Sequence, residues 1–326
     1  MRLTATIWPP SSMAQSRHRR MPRRDSVLAV DVGGTKTALV VSPVVHSARA
    51  SITPSASFAT PKDPQRFITI LRDAVSSVSG DARVLGVGMG VPGPLDRDRG
   101  IVRFSTNLGW RNVPIAALVS HAFGGIPVSI DDDADAGALG EAVYGAGRNA
   151  DPFVFVTLGT GLGSGIVVGG TVVAGHRGAA GEIGHLCASF DGPLCACGRR
   201  GCVEAYVGGL ALERRWREVG RGTADAATVF ALARRGDVDA LRVVQQAREA
   251  LALAFASLMA SVAPARIAVA GTVGLSQKPF VRAAFRLATS AVYPGGRCKL
   301  RAGELGADAV LAGAAALGRA AIAKAS

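Results

Sequence analysis

Apolar runs and glycine-rich turns alternate along most of the chain, and two stretches repeat the same plan. The first has apolar runs at 27–31 and 37–41 around a turn with two glycines. The second has apolar runs at 153–158 and 166–168 on either side of the glycine-rich segment 159–165. Each stretch predicts two strands joined by a turn large enough for a phosphate group. The repeat predicts a duplicated architecture, with one half on each side of a cleft.

The rest of the hydrophobic pattern predicts further strands and helices in alternation. Additional strands are predicted at 84–89, 127–131, 171–173 and 266–270. Helices are predicted at 65–79, 134–144, 209–219, 224–233, 238–262 and 308–324. This alternation is typical of an α/β protein, and 326 residues that are 48% hydrophobic are enough for two domain cores.

The N-terminal segment differs in composition from the rest of the chain. Its first 24 residues contain six arginines and no acidic residue, within a formal net charge of +13. They lack the apolar segment of a secretory signal, so we expect a disordered basic tail over 1–25. Such a tail could contact nucleic acid, but a disordered extension or an upstream start codon is favoured, and no nucleic-acid partner is expected. No run reaches the roughly 18 apolar residues of a spanning helix, so no membrane partner is expected either.

The segment 185–202 combines three of the five cysteines with a histidine. His185, Cys195, Cys197 and Cys202 have the residue types and spacing of a tetrahedral structural zinc site, although a chance cluster of cysteines is the alternative. The other two cysteines have no evident partner in the sequence. This usage favours a reducing compartment, and therefore a cytoplasmic location, over a disulfide framework.

Two glycine-rich segments carry groups suited to a nucleotide phosphate, because glycines let backbone N–H groups approach phosphate oxygens closely. The first supplies Asp31, Gly33, Gly34, Thr35 and Lys36, and the second supplies Gly159, Thr160, Gly161, Gly163 and Gly165. Asp31, at the end of a predicted strand, is a candidate for holding Mg²⁺ through water. Either segment alone is compatible with an ordinary hairpin turn, and neither matches a P-loop or a Rossmann turn.

Three consecutive carboxylates, Asp131, Asp132 and Asp133, end a predicted strand just before a helix. Like charges repel, so a purely structural reason for the run is weak, although one of the three is suited to capping the helix. Asp133, the last of them, is the candidate general base for removing a proton from an alcohol.

Several motifs, in their order and spacing, resemble the ROK family of bacterial sugar kinases, glucokinases among them, and sugar-responsive repressors. The motifs are DVGGTKT, GVPGP, TNLGW, the acidic strand end followed by ADAGALGE, LGTGLGSGIV, GEIGH and CACGRRGCVE. The resemblance covers about nine-tenths of the chain, from Val27 to the C-terminus. It implies an α/β fold of the actin and hexokinase type, with two ribonuclease-H-like domains that close on ATP and sugar across an interdomain cleft.

The resemblance also implies domain limits and an assembly. Residues 26–133, together with a C-terminal helix at 306–325, would form the N-terminal domain. Residues 134–305 would form the C-terminal domain, which carries the zinc loop. The implied assembly is a homodimer.

Individual roles follow from the same resemblance. The residues it associates with the sugar are Asn107, Asp132, Glu182, His185 and Glu204. Asp133 matches the catalytic base, and Gly271 matches a late nucleotide-binding loop. His185 would place one ring nitrogen on zinc and turn the other toward the sugar, and the three cysteines predicted above match the remaining zinc ligands.

Two positions depart from the family pattern. Asp132 stands where the family usually has asparagine, so an amide donor is replaced by an acceptor-only carboxylate, and an altered sugar preference is expected. Ala270 and Thr272 flank Gly271 where a run of three glycines is common. Their bulk is expected to change the adenine pocket.

The resemblance thus implies an ATP-dependent hexose kinase that phosphorylates the 6-hydroxyl of glucose, with ATP, Mg²⁺ and a structural Zn²⁺. An N-acylhexosamine kinase, acting on N-acetylmannosamine or N-acetylglucosamine, or a fructose kinase is the alternative within the family. A sugar-responsive transcriptional regulator is the alternative from another class. The 26 residues before the first strand lack helical periodicity, so no winged helix-turn-helix is expected in them. A sugar-binding protein without catalysis is a third alternative, and Asp133 argues against it.

Overall fold

The computed structural model describes residues 24–44, 54–293 and 298–326. The strands in this part of the chain are β1 (Asp25–Val32), β2 (Lys36–Pro43), β3 (Ala56–Ala59), β4 (Arg83–Gly90), β5 (Leu95–Asp96), β6 (Ile101–Ser105), β7 (Trp110–Val113), β8 (Val128–Asp131), β9 (Phe153–Leu158), β10 (Leu162–Val168), β11 (Thr171–Val172), β12 (Arg266–Ala270) and β13 (Lys299–Ala302). The helices are α1 (Pro64–Ser79), α2 (Ile115–Ala122), α3 (Asp133–Tyr144), α4 (Glu204–Val207), α5 (Gly209–Glu218), α6 (Ala226–Arg234), α7 (Val238–Ser261), α8 (Thr272–Ser276), α9 (Lys278–Ala291) and α10 (Ala309–Ala325).

Two five-stranded sheets share one topology. The strand order is β3-β2-β1-β4-β8 in the first sheet and β11-β10-β9-β12-β13 in the second. In the first sheet β3, β2 and β1 are antiparallel neighbours, and β4 and β8 run parallel to β1. In the second sheet β11, β10 and β9 are antiparallel neighbours, and β12 and β13 run parallel to β9. The hairpins β1–β2 and β9–β10 therefore occupy equivalent places, which confirms the mixed α/β fold and its duplication.

Each sheet has its own hydrophobic core. Side chains of the first sheet, such as Leu39 and Met89, pack with α1, α2 and the small antiparallel sheet β5-β6-β7. Side chains of the second sheet share a core with α7, whose Phe255 and Leu258 are fully or almost fully buried. The small sheet extends the first half along one wall of the cleft.

Helices α3 and α10 pack unusually closely on their neighbours. At Gly88 of β4, an added Cβ would lie 1.8 Å from the carbonyl oxygen of Ala314 in α10. At Gly313 of α10, it would lie 1.7 Å from the carbonyl oxygen of Ala136 in α3. Only glycine allows such approaches. Because α3 contacts β4 of one sheet and both β9 and β10 of the other, this packing fixes its N-terminus between the two sheets.

One described helical segment, Gly306–Ala325, is long and apolar enough to cross a membrane if length and composition alone are considered. Its buried residues include Leu311, Ala314 and Ala315, which form a core cluster with Val27 and Ala29 of β1. This packing is that of a core helix.

All the strands and helices expected from the hydrophobic pattern are present, and the differences concern their ends. Strand β10 begins at Leu162, so Gly163 and Gly165 lie in a strand rather than in the turn. Both glycines pair with β9, Gly163 opposite Thr157 and Gly165 opposite Phe155. Glycine is required at Gly165 because a Cβ there would lie 2.6 Å from the Cβ of Ala138 in α3. Strand β1 begins at Asp25, the last residue of the expected tail. Residues 1–23 of that tail lie outside the described residues. The division into domains at Asp133 stays a prediction.

Candidate active site

A cavity of about 1070 Å³ lies between the two sheets. Both halves of the chain contribute to its wall. The predicted site residues that line it are Asn107, Asp132, Asp133, Gly159, Thr160, Gly161, Gly163, His185, Glu182, Cys195 and Glu204. The cavity therefore brings the acidic strand end, the second glycine turn and the edge of the cysteine loop together.

The acidic run spans the junction between β8 and α3. Asp131 ends the strand, Asp132 is the N-cap, and Asp133 is the first residue of the helix. The Asp132 carboxylate accepts the Ala134 N–H at 3.1 Å with Oδ1 and the Gly93 N–H at 3.3 Å with Oδ2. One of the three acids was expected to be suited to capping the helix, and Asp132 does so. It also borders the cavity.

Burial raises the pKa values of the acids around this junction. For Asp133 the main cause is desolvation, and the negative charge of Asp31 adds to it. Burial, followed by the charge of Asp133, raises the pKa of Asp132 to about 7. Burial also raises the pKa of Asp31 to about 6. A carboxylate that holds its proton more tightly than usual is a stronger base, which suits Asp133 to proton abstraction.

The first glycine turn is tight and is fastened to neighbouring segments. The Gly33 N–H donates to the Lys36 carbonyl at 3.0 Å, and the Thr60 hydroxyl donates to the Gly33 carbonyl at 2.7 Å. A Cβ at Gly34 would lie 2.8 Å from the Cβ of Asn107, so the turn rests directly against that residue. Thr35 and Lys36 are exposed and stand outside the lining of the cavity.

Asp31 lies just before this turn at the end of β1 and influences Asp133 electrostatically. Its carboxylate has no hydrogen bond or ion pair with other described residues. Hard oxygen donors that are free of protein partners fit the coordination of Mg²⁺, which usually keeps several of its waters.

The second glycine turn, 159–161, joins β9 to β10 and packs against Glu204. Glu204 Oε2 accepts the Leu162 N–H at 3.0 Å, and a Cβ at Gly161 would lie 2.5 Å from the same oxygen. Glycine is therefore required at Gly161 for the carboxylate to reach the turn. Gly163 borders the cavity, whereas Gly165 packs under α3 and stands outside the cavity lining.

The four residues of the predicted zinc site come together. The ligand atoms of His185, Cys195, Cys197 and Cys202 all lie within 4.8 Å of one another. Cys197 Sγ and Cys202 Sγ are 3.6 Å apart, and Cys195 Sγ is 3.9 Å from His185 Nδ1. Bonds of about 2.3 Å from a tetrahedral zinc ion separate two sulfur ligands by about 3.8 Å. The arrangement therefore fits a zinc ion.

The cluster of His185 and the three cysteines is joined to the cavity through two side chains. While Nδ1 of His185 faces Cys195, its Nε2 lies 4.0 Å from Glu182 Oε2. Glu204 Oε1 lies 3.8 Å from Cys195 Sγ, and its other oxygen binds the second glycine turn. The positions of His185 and Glu204 at the cavity thus depend on the cysteine loop.

A second cavity, of about 240 Å³, continues beyond the second glycine turn. It shares Gly159, Thr160 and Leu210 with the first cavity. Thr272 borders it. Gly271, next to Thr272, has a φ of 83°, and an added Cβ there would lie 2.4 Å from the Leu158 carbonyl oxygen. The late loop is therefore next to the phosphate-sized turn, as a nucleotide site requires.

Among the residues of the cavity wall that sequence reasoning missed are Arg97 and Asp135, which form an ion pair beside the acidic run. Arg97 donates to Asp131 and to Asp135, and both carboxylates are buried. Burial and the charge of Asp131 raise the pKa of Asp135 to about 8, although Arg97 opposes the shift. The sequence shows Asp135 as a fourth acid close to the acidic run, so it could have been proposed as a site residue. Arg97 is one of several charged residues after β5, and no local sequence pattern distinguishes it.

Comparison with known proteins adds the family. The model of the ROK family matches residues 27–321. The chain is 36% identical to a glucokinase of Streptomyces coelicolor over 203 residues, which are 62% of this chain and 62% of that protein. It is 33% identical to a glucokinase of Thermotoga maritima over 262 residues, covering 76% of this chain and 82% of that protein. The chain thus spans less than two-thirds of the Streptomyces relative's length.

Solved structures agree with this assignment. A ROK hexokinase from Thermus thermophilus is 33% identical, with a TM-score of 0.81 over 92% of this chain and 99% of that one. A ROK glucokinase from Streptomyces griseus, in complex with glucose and AMPPNP, is 31% identical, with a TM-score of 0.72 over 90% of this chain and 99% of that one. The family match and these two structures lead to one conclusion: the chain belongs to the ROK family.

Proposed function

We propose that this protein is an ATP-dependent hexose kinase that transfers the γ-phosphoryl group to the 6-hydroxyl of glucose. The observation that carries the proposal is the position of Asp133. This half-buried carboxylate borders the same cavity as the second glycine turn and as Glu182, His185 and Glu204. The relatives named glucokinase and the glucose and AMPPNP complex of a ROK glucokinase support a sugar kinase of this kind.

In this proposal the sugar lies between the acidic junction and the zinc loop. Asn107, Asp132, Glu182, His185 and Glu204 would bind its hydroxyl groups. Asp133 would accept the proton of the attacking hydroxyl while the oxygen approaches the γ-phosphorus. Positioning and charge neutralisation account for most of the rate of phosphoryl transfer, so the rigid placement of Asp133 at the start of α3 matters as much as its basicity.

The donor would extend from the second cavity into the first. The small cavity beside Thr272 is suited to the adenine, and the turn at 159–161 to the phosphates. Asp31 would hold Mg²⁺ through water, where the metal neutralises developing charge on the phosphates. Lys36 and the glycines of the first turn would complete the phosphate site after the two halves move closer together.

The experiment that tests the proposal measures ATP consumption by the full chain with a panel of sugars. The panel includes glucose, mannose, fructose, N-acetylglucosamine and N-acetylmannosamine, and kcat/KM is compared among them. The highest value for glucose supports the proposal. A higher value for an N-acylhexosamine or for fructose selects the alternative within the family, and no consumption with any of them rejects the kinase.

A sugar-responsive transcriptional regulator is the second candidate, because xylose repressors are also among the relatives. The repressor of Bacillus subtilis is 40% identical over 129 residues, which are 40% of this chain and 33% of that protein. The arginine-rich N-terminal segment supplies positive charge for contact with DNA.

Removal of residues 1–23 distinguishes the two candidates. We expect the truncated protein to keep its kinase activity and melting temperature, because strand β1 begins after the segment. We also expect no salt-sensitive binding of the full chain to duplex DNA in a fluorescence-anisotropy titration. Binding that weakens steeply with salt and disappears on truncation would favour the regulator.

The carboxylate of Asp132 is expected to influence both sugar preference and the pH profile. Its pKa is raised to about 7, so it is largely protonated below that pH and adds a negative charge beside Asp133 above it. A hydrogen bond from Asp132 lowers the pKa of Asp133, and the amide of Asp132→Asn can donate the same bond while it removes the group that titrates near pH 7. We therefore expect any change of kcat/KM around pH 7 that arises from Asp132 to disappear, or the ranking of hexoses to change.

The check for Asp132 is a set of pH–rate profiles between about pH 5 and pH 9, measured for both proteins with the sugar panel. Asparagine caps a helix as well as aspartate does, so the melting temperature should change little. If profile and ranking both stay the same, Asp132 is only a helix cap.

The remaining proposals concern the setting of the enzyme. We propose a homodimer located in the cytoplasm, with zinc bound permanently by the cysteine loop. We also propose 26–133 with 306–325 as one domain and 134–305 as the other. Sedimentation velocity tests the assembly.

A further inference from the structure

Arg97 forms two buried ion pairs that flank the candidate base. Its Nε donates to Asp131 Oδ1 at 2.5 Å, and its Nη2 donates to Asp135 Oδ2 at 2.5 Å. The side chains of Asp131 and Asp135 are only 7% and 5% exposed, and that of Arg97 is 19% exposed. The two acids stand two residues before and two residues after Asp133. One guanidinium therefore spans the end of β8 and the first turn of α3.

The contacts of this junction form a continuous network. Asp131 Oδ1, which binds Arg97, also accepts the Asp132 N–H at 2.9 Å. Asp132 in turn caps α3 through the Ala134 N–H and binds the Gly93 N–H with its second oxygen. The backbone on both sides of Asp133 is thus held by side-chain hydrogen bonds, and Arg97 is the one cation among these groups.

Arg97 reaches the junction from a different part of the chain. It directly follows β5, in the small sheet beside the cavity. On its other side, a Cβ at Gly178 would lie 2.3 Å from Arg97 Nη1, so the backbone of that turn covers the guanidinium. The planar fork of arginine matches two carboxylates at once, which the single ammonium group of lysine cannot do.

We propose that Arg97 is a positioning residue that holds the β8–α3 turn, and with it Asp133, in the geometry for proton abstraction. Buried ion pairs contribute little net stability but fix the relative positions of the groups they join. A displacement of about 1 Å at a reacting group can cost about 100-fold in rate. The inference rests on the proposed function, because it requires Asp133 to act as the base.

The test compares three changes at this network with a matched control. Arg97→Lys keeps the charge but not the fork. Arg97→Gln together with Asp135→Asn replaces one pair by two neutral amides, while Asp131 loses its cation and keeps the Asp132 N–H as a hydrogen-bond donor, so the thermal melt must show that this variant folds. Arg103→Gln is the control, because Arg103 forms an exposed ion pair with Asp96 in the same small sheet. The third change combines Arg97→Gln and Asp135→Asn with Asp133→Asn in one variant.

Steady-state kinetics use the sugar of the panel with the highest kcat/KM, and thermal melts report folding. We expect Arg97→Lys and the double variant to fold and to keep the KM for sugar within about threefold, while kcat falls at least about tenfold. The control should match the unchanged protein in both constants. In the Asp133→Asn background, the double substitution should lower kcat no further, because the residue that it positions is already disabled.

Other outcomes overturn the proposal. An unchanged kcat in the folded variants makes the ion pairs merely structural, and a parallel rise in KM makes Arg97 a sugar contact. A further loss in the Asp133→Asn background means that Arg97 acts through another group. If Asp133→Asn retains full turnover, the assignment of the base fails and the positioning role fails with it. An inactive Asp133→Asn beside fully active Arg97 variants rejects the positioning role alone.

Discussion

Asp133→Asn is expected to lose at least about two orders of magnitude in kcat, the usual contribution of a general base. The amide cannot accept the hydroxyl proton, but it has the size and shape of the carboxylate. Burial and the negative charge of Asp31 raise the pKa of Asp133, so replacement by a neutral group also relieves an unfavourable desolvation. We therefore expect the melting temperature to stay the same or rise while turnover falls.

Two measurements separate loss of chemistry from loss of binding in this variant. Glucose binding by isothermal titration calorimetry should remain within about threefold of the unchanged protein, because the change is isosteric. Asp73→Asn, which alters an exposed acid of α1, is a control for the charge change and should keep full activity. Near-normal turnover of Asp133→Asn would remove this residue from the mechanism.

Much of the fold was predictable because its regular elements follow simple periodicities. The repeated hairpins, with a glycine turn between apolar runs, predicted the duplication that the two matching sheets confirm. The short strands β3, β5, β6, β7 and β13 and the short helices α2, α4 and α8 were not assigned, because elements of this length carry little periodic signal. The 14-residue helix α9 was also missed, although its buried residues follow a helical spacing. The turn at 159–161 was predicted too long, since glycines required for helix packing look like turn residues in a sequence.

The candidate site was predictable only where residue type and spacing carry the chemistry. The histidine and three cysteines meet because a metal site imposes close spacing on its ligands, and the acidic run was visible as an unusual concentration of charge. Arg97 could not be found in this way. Its partners are 34 and 38 residues away, and only the tertiary fold brings its guanidinium to their carboxylates.

Cys195→Ala is expected to release zinc and to weaken sugar binding at least about tenfold, in line with the effect of losing residues that orient a metal site. The sulfur of Cys195 lies 3.9 Å from His185 Nδ1 and 3.8 Å from Glu204 Oε1. Without the metal, the imidazole loses its fixed orientation toward Glu182. Glu204 also binds the Leu162 N–H, so the second glycine turn should loosen as well, and the KM for ATP should rise together with that for sugar.

Metal analysis and kinetics of the same preparations decide this prediction. The unchanged protein, purified without chelator, should contain about one zinc per chain, as expected for a closed site of three cysteines and one histidine. Cys187→Ala is the matched control, because Cys187 is an exposed cysteine of the same loop outside the ligand cluster, and it should keep both metal and activity. Full activity in a protein without zinc would show that the cysteine loop orients His185 and Glu204 by its own packing. A loss of zinc from Cys195→Ala with unchanged KM values would separate the metal from the sugar site, since the link through His185 and Glu204 requires both to change together.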